Sequence, residues 1–251
     1  LRRNMFVPER DYFEGMSGLK ERVVSNRGMS FGIYDAYGYG SLYNRRQERI
    51  LDIIASQNSP SETNLLNLLN VKYIISPRDF KIGGYKMVKR AEKANIYENK
   101  NYLPRVFLAD KAVVIKEEKN ILEKFTRKDF KPWEEVILEE DFSDMPRLSH
   151  PKPIAAAKIL KYEPGEVIAE AETGDNRFLV LSDTYYPGWK AYVDGKIDKI
   201  YRADYILRAV YLKPGRHIVR FTYDPFSFKI GSMITLATMG VLLGLWIFRW
   251  R

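Results

Sequence analysis

Hydrophobic and polar residues are unevenly distributed along this chain, and the longest apolar run lies near its C-terminal end. Residues Ile230 to Phe248 contain no charged side chain. A helix of about 19 residues, rising 1.5 Å per residue, covers the roughly 30 Å hydrocarbon core of a bilayer. Lys229 precedes the run and Arg249 to Arg251 follow it, as cationic and aromatic anchors do at membrane interfaces. The pattern favours one transmembrane helix with a short basic tail, residues 228–251, over a buried core helix.

From Ile154 onward, short alternating stretches are separated by turn dipeptides such as Pro164-Gly165, Asp194-Gly195 and Pro214-Gly215. Strands of this length, spaced by such turns, are typical of an antiparallel sandwich or barrel. We predict a run of β-hairpins that forms an antiparallel β-sandwich, immunoglobulin-like or jelly-roll-like, and leads through Asp224-Pro225 into the membrane helix. The predicted strands are 156–162, 166–172, 178–182, 189–193, 205–212 and 217–223.

The preceding part of the chain mixes helical and strand patterns. Ile50 and Ile54 recur at helical spacing after charged residues. Ser59 stands three residues before Glu62 and directly before a proline, which is a capping box that predicts a second helix with Leu65 to Leu69 on its buried face. The first forty residues, rich in Gly and Tyr, predict short strands and turns.

These patterns predict an α+β protein with three parts. They are an N-terminal α/β unit (1–104), a β-rich sandwich domain (105–227) and the membrane helix (228–251). Within them the sequence predicts a strand at 71–75, a hairpin or loop at Gly83-Gly84, strands at 105–109, 112–115 and 135–138, a helix within 116–131, and a connecting loop at 144–153.

Composition limits the chemistry. The chain is 45% hydrophobic and 29% charged, which indicates one span on a large soluble head. It has no cysteine and two histidines, His150 and His217, so disulfides and cysteine nucleophiles are excluded, and we expect no metal site or cofactor. The net charge of +9 is scattered, without a recognition motif for nucleic acid, and favours a membrane-surface role. Because the chain starts at Leu1 without a signal segment, we expect a fragment of a longer protein.

The densest group of chemically useful side chains lies between Ser182 and Lys196. Tyr185, Tyr186 and Trp189 could stack on a sugar ring, and the Asp183 carboxylate could accept hydrogen bonds from its hydroxyls. Arg202 would bind an oxyanion. The alternative is that the aromatic residues pack the sandwich core and support the turn. The list of candidate substrate-binding residues is Asp183, Tyr185, Tyr186, Trp189 and Arg202; no catalytic residue is assigned.

Two further patterns have a functional and a plain interpretation. Arg202, Arg208 and Arg220 would line one polar face suited to a phosphate, or they are solvated strand residues. Gly240 and Gly244, with Ala237 one turn earlier, would let the membrane helix pack closely against another helix, although such pairs also occur by chance in apolar segments.

Several segments together resemble the C-terminal part of the YfhO family of bacterial integral membrane proteins. They are Leu65–Ile75, Leu103–Phe107, Tyr185–Gly195, Tyr201–Tyr205 and Tyr223–Lys229. The resemblance implies a GT-C glycosyltransferase-like protein that transfers sugar from a polyprenyl-phosphate carrier to a cell-envelope polymer such as a teichoic acid.

The same resemblance implies partners and a topology. The partners would be the lipid bilayer, the missing upstream transmembrane helices, and a lipid-linked sugar or envelope glycan. The head would be extracytoplasmic and the C-terminus cytoplasmic, and this fragment alone would be inactive. The alternative is a non-enzymatic, membrane-anchored envelope or carbohydrate-binding protein.

Overall fold

The computed structural model describes residues 34–36, 44–76, 79–90, 94–142 and 155–250. The predictions for most of the first forty residues, for His150 and for the loop at 144–153 lie outside these residues.

The C-terminal apolar run forms one continuous helix. This helix, α4 (Phe226–Arg249), is 24 residues long, about 36 Å, and none of its residues is buried. Its threonine hydroxyls are satisfied within the helix, since Thr235 and Thr238 each donate to the carbonyl four residues earlier, over 2.9 Å. A helix that is apolar on all sides and unburied in the head has the length and composition to cross a membrane.

The rest of the described chain is mixed α+β, as predicted, and consists mainly of antiparallel sheet. Three sheets have the strand orders β1-β3-β2, β11-β10-β14-β8-β7 and β4-β9-β13-β12-β6-β5. The strands are β1 (Tyr73–Ser76), β2 (Tyr85–Arg90), β3 (Asn95–Asn99), β4 (Val106–Ala109), β5 (Lys111–Val114), β6 (Glu135–Leu138), β7 (Ala155–Glu163), β8 (Glu166–Thr173), β9 (Arg177–Leu181), β10 (Trp189–Val193), β11 (Lys196–Asp198), β12 (Tyr201–Ala203), β13 (Leu207–Leu212) and β14 (Gly215–Tyr223); the other helices are α1 (Arg45–Ser56), α2 (Leu65–Leu68) and α3 (Glu118–Thr126).

The five-stranded and six-stranded sheets pack face to face as a sandwich. Alternate residues of both sheets fill the space between them and are almost fully buried, as the period of two in a strand requires. The opposite face of the six-stranded sheet is covered by α1, α2 and α3 in a second core. The sandwich core consists of Val106, Val167, Ala169, Ala171, Leu179, Leu181, Ala191, Val210, Leu212, Val219 and Phe221.

The predicted run of hairpins is only partly correct. The hairpins β7–β8 and β10–β11 are confirmed. The turns at 174–176 and 213–214 instead carry the chain from one sheet to the other, because β8 and β14 lie in the five-stranded sheet and β9 and β13 in the six-stranded one. Turn residues predict that the chain reverses direction, but they do not determine which strand becomes the hydrogen-bonding partner.

One predicted strand is wrong at its start. The sequence predicts a strand from Tyr205, but Asp204 and Tyr205 have φ angles of 46° and 71° and form a turn, and β13 begins at Leu207. This turn joins β13 to a short strand, β12, that the pattern did not predict. Left-handed backbone at two successive non-glycine residues is uncommon, so the alternation of side chains gave no sign of it.

The second predicted helix is also shorter than the capping box at Ser59 to Glu62 indicated. Residues 59–64 form turns, and only Leu65 to Leu68 are helical. The backbone N–H of Glu62 donates to the Ser59 carbonyl over 3.2 Å, and the Asn64 amide donates to the Phe130 carbonyl over 2.7 Å, so this segment is held by turn contacts and by the segment that follows α3. The prediction of a buried leucine face is confirmed, with Leu65 and Leu68 fully buried.

The predicted division at residue 104 stays a prediction. Within the described chain, the core beside the six-stranded sheet includes residues from both sides of that boundary, for example Ile50 and Leu65 together with Phe107 and Phe178. The small sheet β1-β3-β2 joins this core through Ile74. The choice between immunoglobulin-like and jelly-roll-like connectivity is likewise left as predicted.

Candidate functional site at the membrane-proximal end of the sandwich

One end of the sandwich carries the exit into α4, and we call it the membrane-proximal end. Trp189 at the start of β10 pairs with Tyr223 at the end of β14. The backbone N–H of Tyr223 donates to the carbonyl of Gly165, in the β7–β8 turn, over 2.9 Å. Leu181, at the end of β9, pairs with Val106 at the start of β4. The loop that contains Asp183 to Gly188 therefore lies at this end, only a few residues from the membrane helix.

The opposite end carries the tight turn Asp194-Gly195, with φ angles of 51° and 80°. Asp194 accepts hydrogen bonds from the backbone N–H of Ile218 over 2.9 Å, and its other oxygen lies 2.7 Å from His217 Nδ1. The His217 contact, followed by the backbone bond, lowers the pKa of Asp194. This pair supports the turn far from α4.

The aromatic turn before β10 packs directly on the start of α4. Gly188 has a φ of 102°, and a side chain there would meet Pro225 at 2.9 Å, so only glycine fits the turn. The rings of Trp189 and Tyr223 lie 5.3 Å apart. Asp224 Oδ2 accepts from the Nζ of Lys190 over 2.6 Å and of Lys229 over 2.8 Å. The contacts of Gly188 with Pro225 and Asp224, together with the two ion pairs of Asp224, therefore join the sandwich to the helix.

Asp183 lies at the centre of a largely buried ionic cluster. Its Oδ1 accepts from Arg105 Nη1 over 2.9 Å and from the Tyr162 hydroxyl over 3.0 Å, and its Oδ2 accepts from Arg208 Nη2 over 2.9 Å. The Arg208 side chain is 2% exposed, and its guanidinium carbon lies 3.8 Å from the centre of the Trp189 ring. The cluster fastens β4, β7 and β13 to the loop after β9.

The electrostatics of the cluster follow from its burial. Burial lowers the pKa of the Arg208 guanidinium, and Asp183 opposes this effect. Burial, with Asp183 adding to it, raises the pKa of Tyr162 to about 12, so Tyr162 is a neutral donor. Two arginines thus share one carboxylate, and Arg208 Nε and Nη1 have no hydrogen-bond partner within the described chain. The Trp189 ring face compensates part of that charge.

A second group surrounds Arg202 at the same end. The Arg202 guanidinium stacks on the Tyr185 ring at 4.6 Å and donates to Glu139 Oε2 over 3.3 Å. Glu139 also binds Arg46, whose Nη2 donates to it over 2.9 Å. Tyr186 is 57% exposed. Tyr185, Tyr186 and Arg202 therefore remain accessible, whereas Asp183 and Trp189 are engaged in the fold.

The structure separates the candidate residues into two environments. Asp183 and Trp189 both contact Arg208, and Tyr185 contacts Arg202. Within the described chain the two groups are neighbours through the strand register of Arg202 and Arg208, but no hydrogen bond or ion pair between side chains joins them. The expectation that Arg202, Arg208 and Arg220 line one face is wrong. Arg202 and Arg208 pair across β12 and β13, Arg208 is buried, and Arg220 lies on the outer face of the other sheet, where it stacks on Tyr192.

Sequence reasoning missed Arg105 and Tyr162. Arg105 precedes a strand without any pattern around it, and Tyr162 lies near the end of a strand whose positions are exposed or half-buried. The one available signal was Arg208, a charged residue within the apolar run Tyr205 to Leu212. A charge at such a position requires a buried partner, but the sequence does not identify that partner.

Two clefts lie elsewhere, beside α3. One of about 320 Å³ is lined by Asn120, Lys124, Arg127 and Glu135, among others, and another of about 500 Å³ lies between α1 and α3. Lys124 and Glu135 in the first are paired at 2.8 Å. Among the described residues, no three potential metal ligands of the His, Cys, Asp or Glu type group together.

The packing of Ala237, Gly240 and Gly244 stays a prediction. A side-chain carbon added at either glycine would meet no atom within 4 Å.

Comparison with known proteins places this end of the molecule in a family. Residues 136–235, from β6 through the sandwich into α4, match the family model described as bacterial membrane protein YfhO. A protein named YfhO from Bacillus subtilis strain 168 is 24% identical over 104 residues, which are 41% of this chain and 12% of that protein. The alignment therefore covers a small part of the relative's length. No solved structure matches the chain. The resemblance seen in the sequence and these matches agree that residues 136–235 of this chain are similar to the YfhO family of bacterial membrane proteins.

Proposed function

We propose that this chain is the C-terminal extracytoplasmic region and last transmembrane helix of a polytopic membrane protein similar to GT-C glycosyltransferases. The whole protein would transfer sugar from a polyprenyl-phosphate carrier to a cell-envelope polymer. Its partners would be the lipid bilayer, upstream transmembrane helices of the same protein, and the lipid-linked sugar or glycan. In this proposal the region described here recognises the substrate or orients the head, and the bond-making residues lie elsewhere.

The observation that supports the proposal most is the position of the aromatic turn. Gly188 and Trp189, which end the turn that carries Tyr185 and Tyr186, pack against Pro225 and Tyr223 at the start of the membrane helix. A polyprenyl-linked sugar presents its phosphate and its sugar ring at the bilayer surface. An accessible tyrosine, together with an arginine that stacks on its neighbour, suits recognition of a ring beside an oxyanion at that depth.

A role in recognition rather than catalysis agrees with the hydrogen bonds that the Asp183 carboxylate accepts. Asp183 accepts from two arginines and a tyrosine, so its oxygens are occupied and it is poorly suited to act as a general base. We therefore assign the contacts with substrate to Tyr185, Tyr186 and Arg202. Asp183 and Trp189 would hold the loop in place.

Tyr186→Ala in the full-length protein is expected to reduce glycosylation of the envelope polymer by about two- to tenfold, the effect of losing one aromatic stacking contact of about 0.5–1.5 kcal/mol. Because Tyr186 is 57% exposed, the abundance and thermal stability of the protein should not change. Tyr186→Phe, which keeps the ring, should retain activity. Ile197→Ala, at an exposed site on the opposite end, is the control.

Activity in Tyr186→Ala equal to that of the unmodified protein would remove this residue from the site. Trp189→Ala is a poorer test, because Trp189 packs on the sandwich core and on Arg208. Its loss would lower stability and activity together.

The topology gives a separate prediction. With the head outside the cell, a single cysteine at Ile197, which is 71% exposed, should react with a membrane-impermeant maleimide in intact cells. The chain itself has no cysteine, so a background is avoided once any upstream cysteines of the full-length protein are replaced. Labelling that occurs only after lysis would reverse the assigned orientation.

A further inference from the structure

Basic residues are concentrated in one short part of the chain. Residues 72–100 contain eight Lys or Arg and three Asp or Glu, a net charge of +5 out of +9 for the whole chain. This segment forms the three-stranded sheet, which the function proposed above does not use. So dense a charge on one small sheet is a reason to look for an anionic partner.

One face of this sheet is covered and the other is open. On the covered face, Tyr97 is 1% exposed and stacks on Phe80 at 3.7 Å. On the open face, the strand registers align Tyr73 with Glu98 and Lys86, and in the next row Ile75 with Ile96 and Lys89. We call this open face, defined by Tyr73, Ile75, Lys86 and Lys89, the basic face.

Among the described residues, one carboxylate, that of Glu98, lies among the lysines around the basic face. Glu98 binds Lys100, and the positive charges of Lys72 and Lys86 lie close enough to act on it as well. Lys72 Nζ lies 5.2 Å from the centre of the Tyr73 ring. One acidic group cannot balance three lysines, so the face carries excess positive charge.

The basic face also exposes apolar surface. Tyr73 is 52% exposed and Ile75 is 38% exposed, and Val88 at the bulge of β2 is 47% exposed. Aromatic and aliphatic side chains with lysines around them are the composition of protein surfaces that lie in the headgroup region of a bilayer.

The sheet is attached to the membrane-proximal end of the sandwich. The Ser182 hydroxyl, at the end of β9, donates to the Leu68 carbonyl over 3.0 Å. The Leu103 N–H donates to the Asn67 carbonyl over 3.0 Å, shortly before the start of β4. Both chain segments that lead to and from the sheet are therefore held at the end from which α4 leaves.

We propose that the basic face binds the anionic lipid headgroups of the bilayer that α4 crosses. Each lysine near an anionic surface contributes favourably, and the exposed tyrosine and isoleucine add apolar contact. The contact fixes the tilt of the head over the membrane. The proposal depends on α4 spanning the bilayer, but it does not depend on any glycosyltransferase activity.

The absence of cysteine permits a direct test with the full chain in lipid nanodiscs. A nitroxide is attached at Ile75→Cys on the basic face or at Ile197→Cys on the opposite end, and its collisions with oxygen and with a soluble nickel chelate are measured. With phosphatidylglycerol in the nanodisc, we expect the Ile75 label to be shielded from nickel and the Ile197 label to remain accessible. In neutral phosphatidylcholine, or at about 1 M salt, where the Debye length is about 3 Å, the shielding should be lost.

Charge reversal supplies a matched control. Lys86→Glu with Lys89→Glu should lower the ratio of docked to undocked head by at least about 30-fold, the effect of losing two lysine contacts with an anionic surface. Lys196→Glu with Lys213→Glu changes the net charge by the same amount at the opposite end and should leave the shielding intact. Thermal unfolding of each variant shows whether the head stays folded.

Three results would overturn the proposal. They are a nickel accessibility at Ile75 equal in anionic and neutral bilayers, an equal effect of the two charge-reversed pairs, or shielding that requires a second copy of the chain in the nanodisc or an added acidic polymer. The last would assign the face to another partner, and the first two would leave it as a solvated surface.

Discussion

Asp183→Ala is expected to lower the free energy of unfolding of the head by about 3–5 kcal/mol, because it leaves buried Arg208 without the carboxylate that neutralises it. The Arg208 side chain is 2% exposed and the Asp183 side chain 13%, so water cannot replace the lost bond at Arg208 without opening the sandwich. Tyr162 loses its acceptor in the same variant. Urea unfolding of the full chain in detergent micelles, followed by near-UV circular dichroism, measures the change.

A double variant distinguishes the effect of losing the contact between Asp183 and Arg208 from the effect of leaving the Arg208 charge uncompensated. Asp183→Leu combined with Arg208→Met replaces the buried pair by apolar side chains and should be clearly less destabilised than Asp183→Ala, since Arg105 is 25% exposed and can be solvated. Asp141→Ala, which removes an exposed partner of Lys116, should change stability little. If Asp183→Ala behaves like Asp141→Ala, the cluster does not stabilise the fold.

Asp204→Asn is expected to stabilise the head increasingly as the pH rises from about 4 to about 7, relative to the unmodified chain. Burial raises the pKa of Asp204 from 3.8 to about 7, with the backbone bond from Ile137 opposing the rise. A raised carboxyl pKa means that the folded state holds a proton that the unfolded state has released. Asp204 therefore contributes most to the free energy of unfolding below pH 4. This contribution falls as the pH rises from about 4 to about 7, by up to about 4 kcal/mol in total.

The Asp204→Asn variant keeps the other structural features at this position. Its side-chain oxygen can accept from the Ile137 N–H, as Asp204 Oδ1 does over 2.9 Å, and asparagine tolerates the φ of 46°. Asp204 Oδ2 has no partner within the described chain, so an amide there loses no bond. Asp204→Leu, which removes the acceptor for the Ile137 N–H, should be less stable than Asp204→Asn at every pH. A constant difference between Asp204→Asn and the unmodified chain from pH 4 to 8 would contradict the raised pKa.

Features that depend on local residues followed from the sequence. The uncharged run at 230–248 predicted α4, because in lipid a helix must satisfy its backbone internally and needs only length and apolar composition. The turn Asp194-Gly195 predicted its own left-handed backbone. Alternation predicted most strands of the sandwich and its antiparallel character.

Strand partners and polar contacts between sheets could not be predicted from local residues of the sequence. Whether β9 pairs with β8 or crosses to the other sheet depends on which buried faces complement each other, and that is a property of the whole core. The partners of Asp183 lie at residues 105, 162 and 208, separated from it by up to 78 positions. No local periodicity of the sequence indicates a contact between residues that lie so far apart along the chain.

The sequence by itself determined the apolar helix α4, which is long enough to cross a membrane, the β-rich head before it, and the resemblance to the YfhO family. It also singled out the aromatic block without deciding its role. Only the tertiary structure divided that block, since it holds Asp183 and Trp189 against buried Arg208, leaves Tyr186 exposed, and pairs half-buried Tyr185 with Arg202 at the same end of the sandwich. The physical reason is that burial and charge pairing depend on elements brought together by packing, whereas helix length, turn geometry and alternation depend on neighbours along the chain.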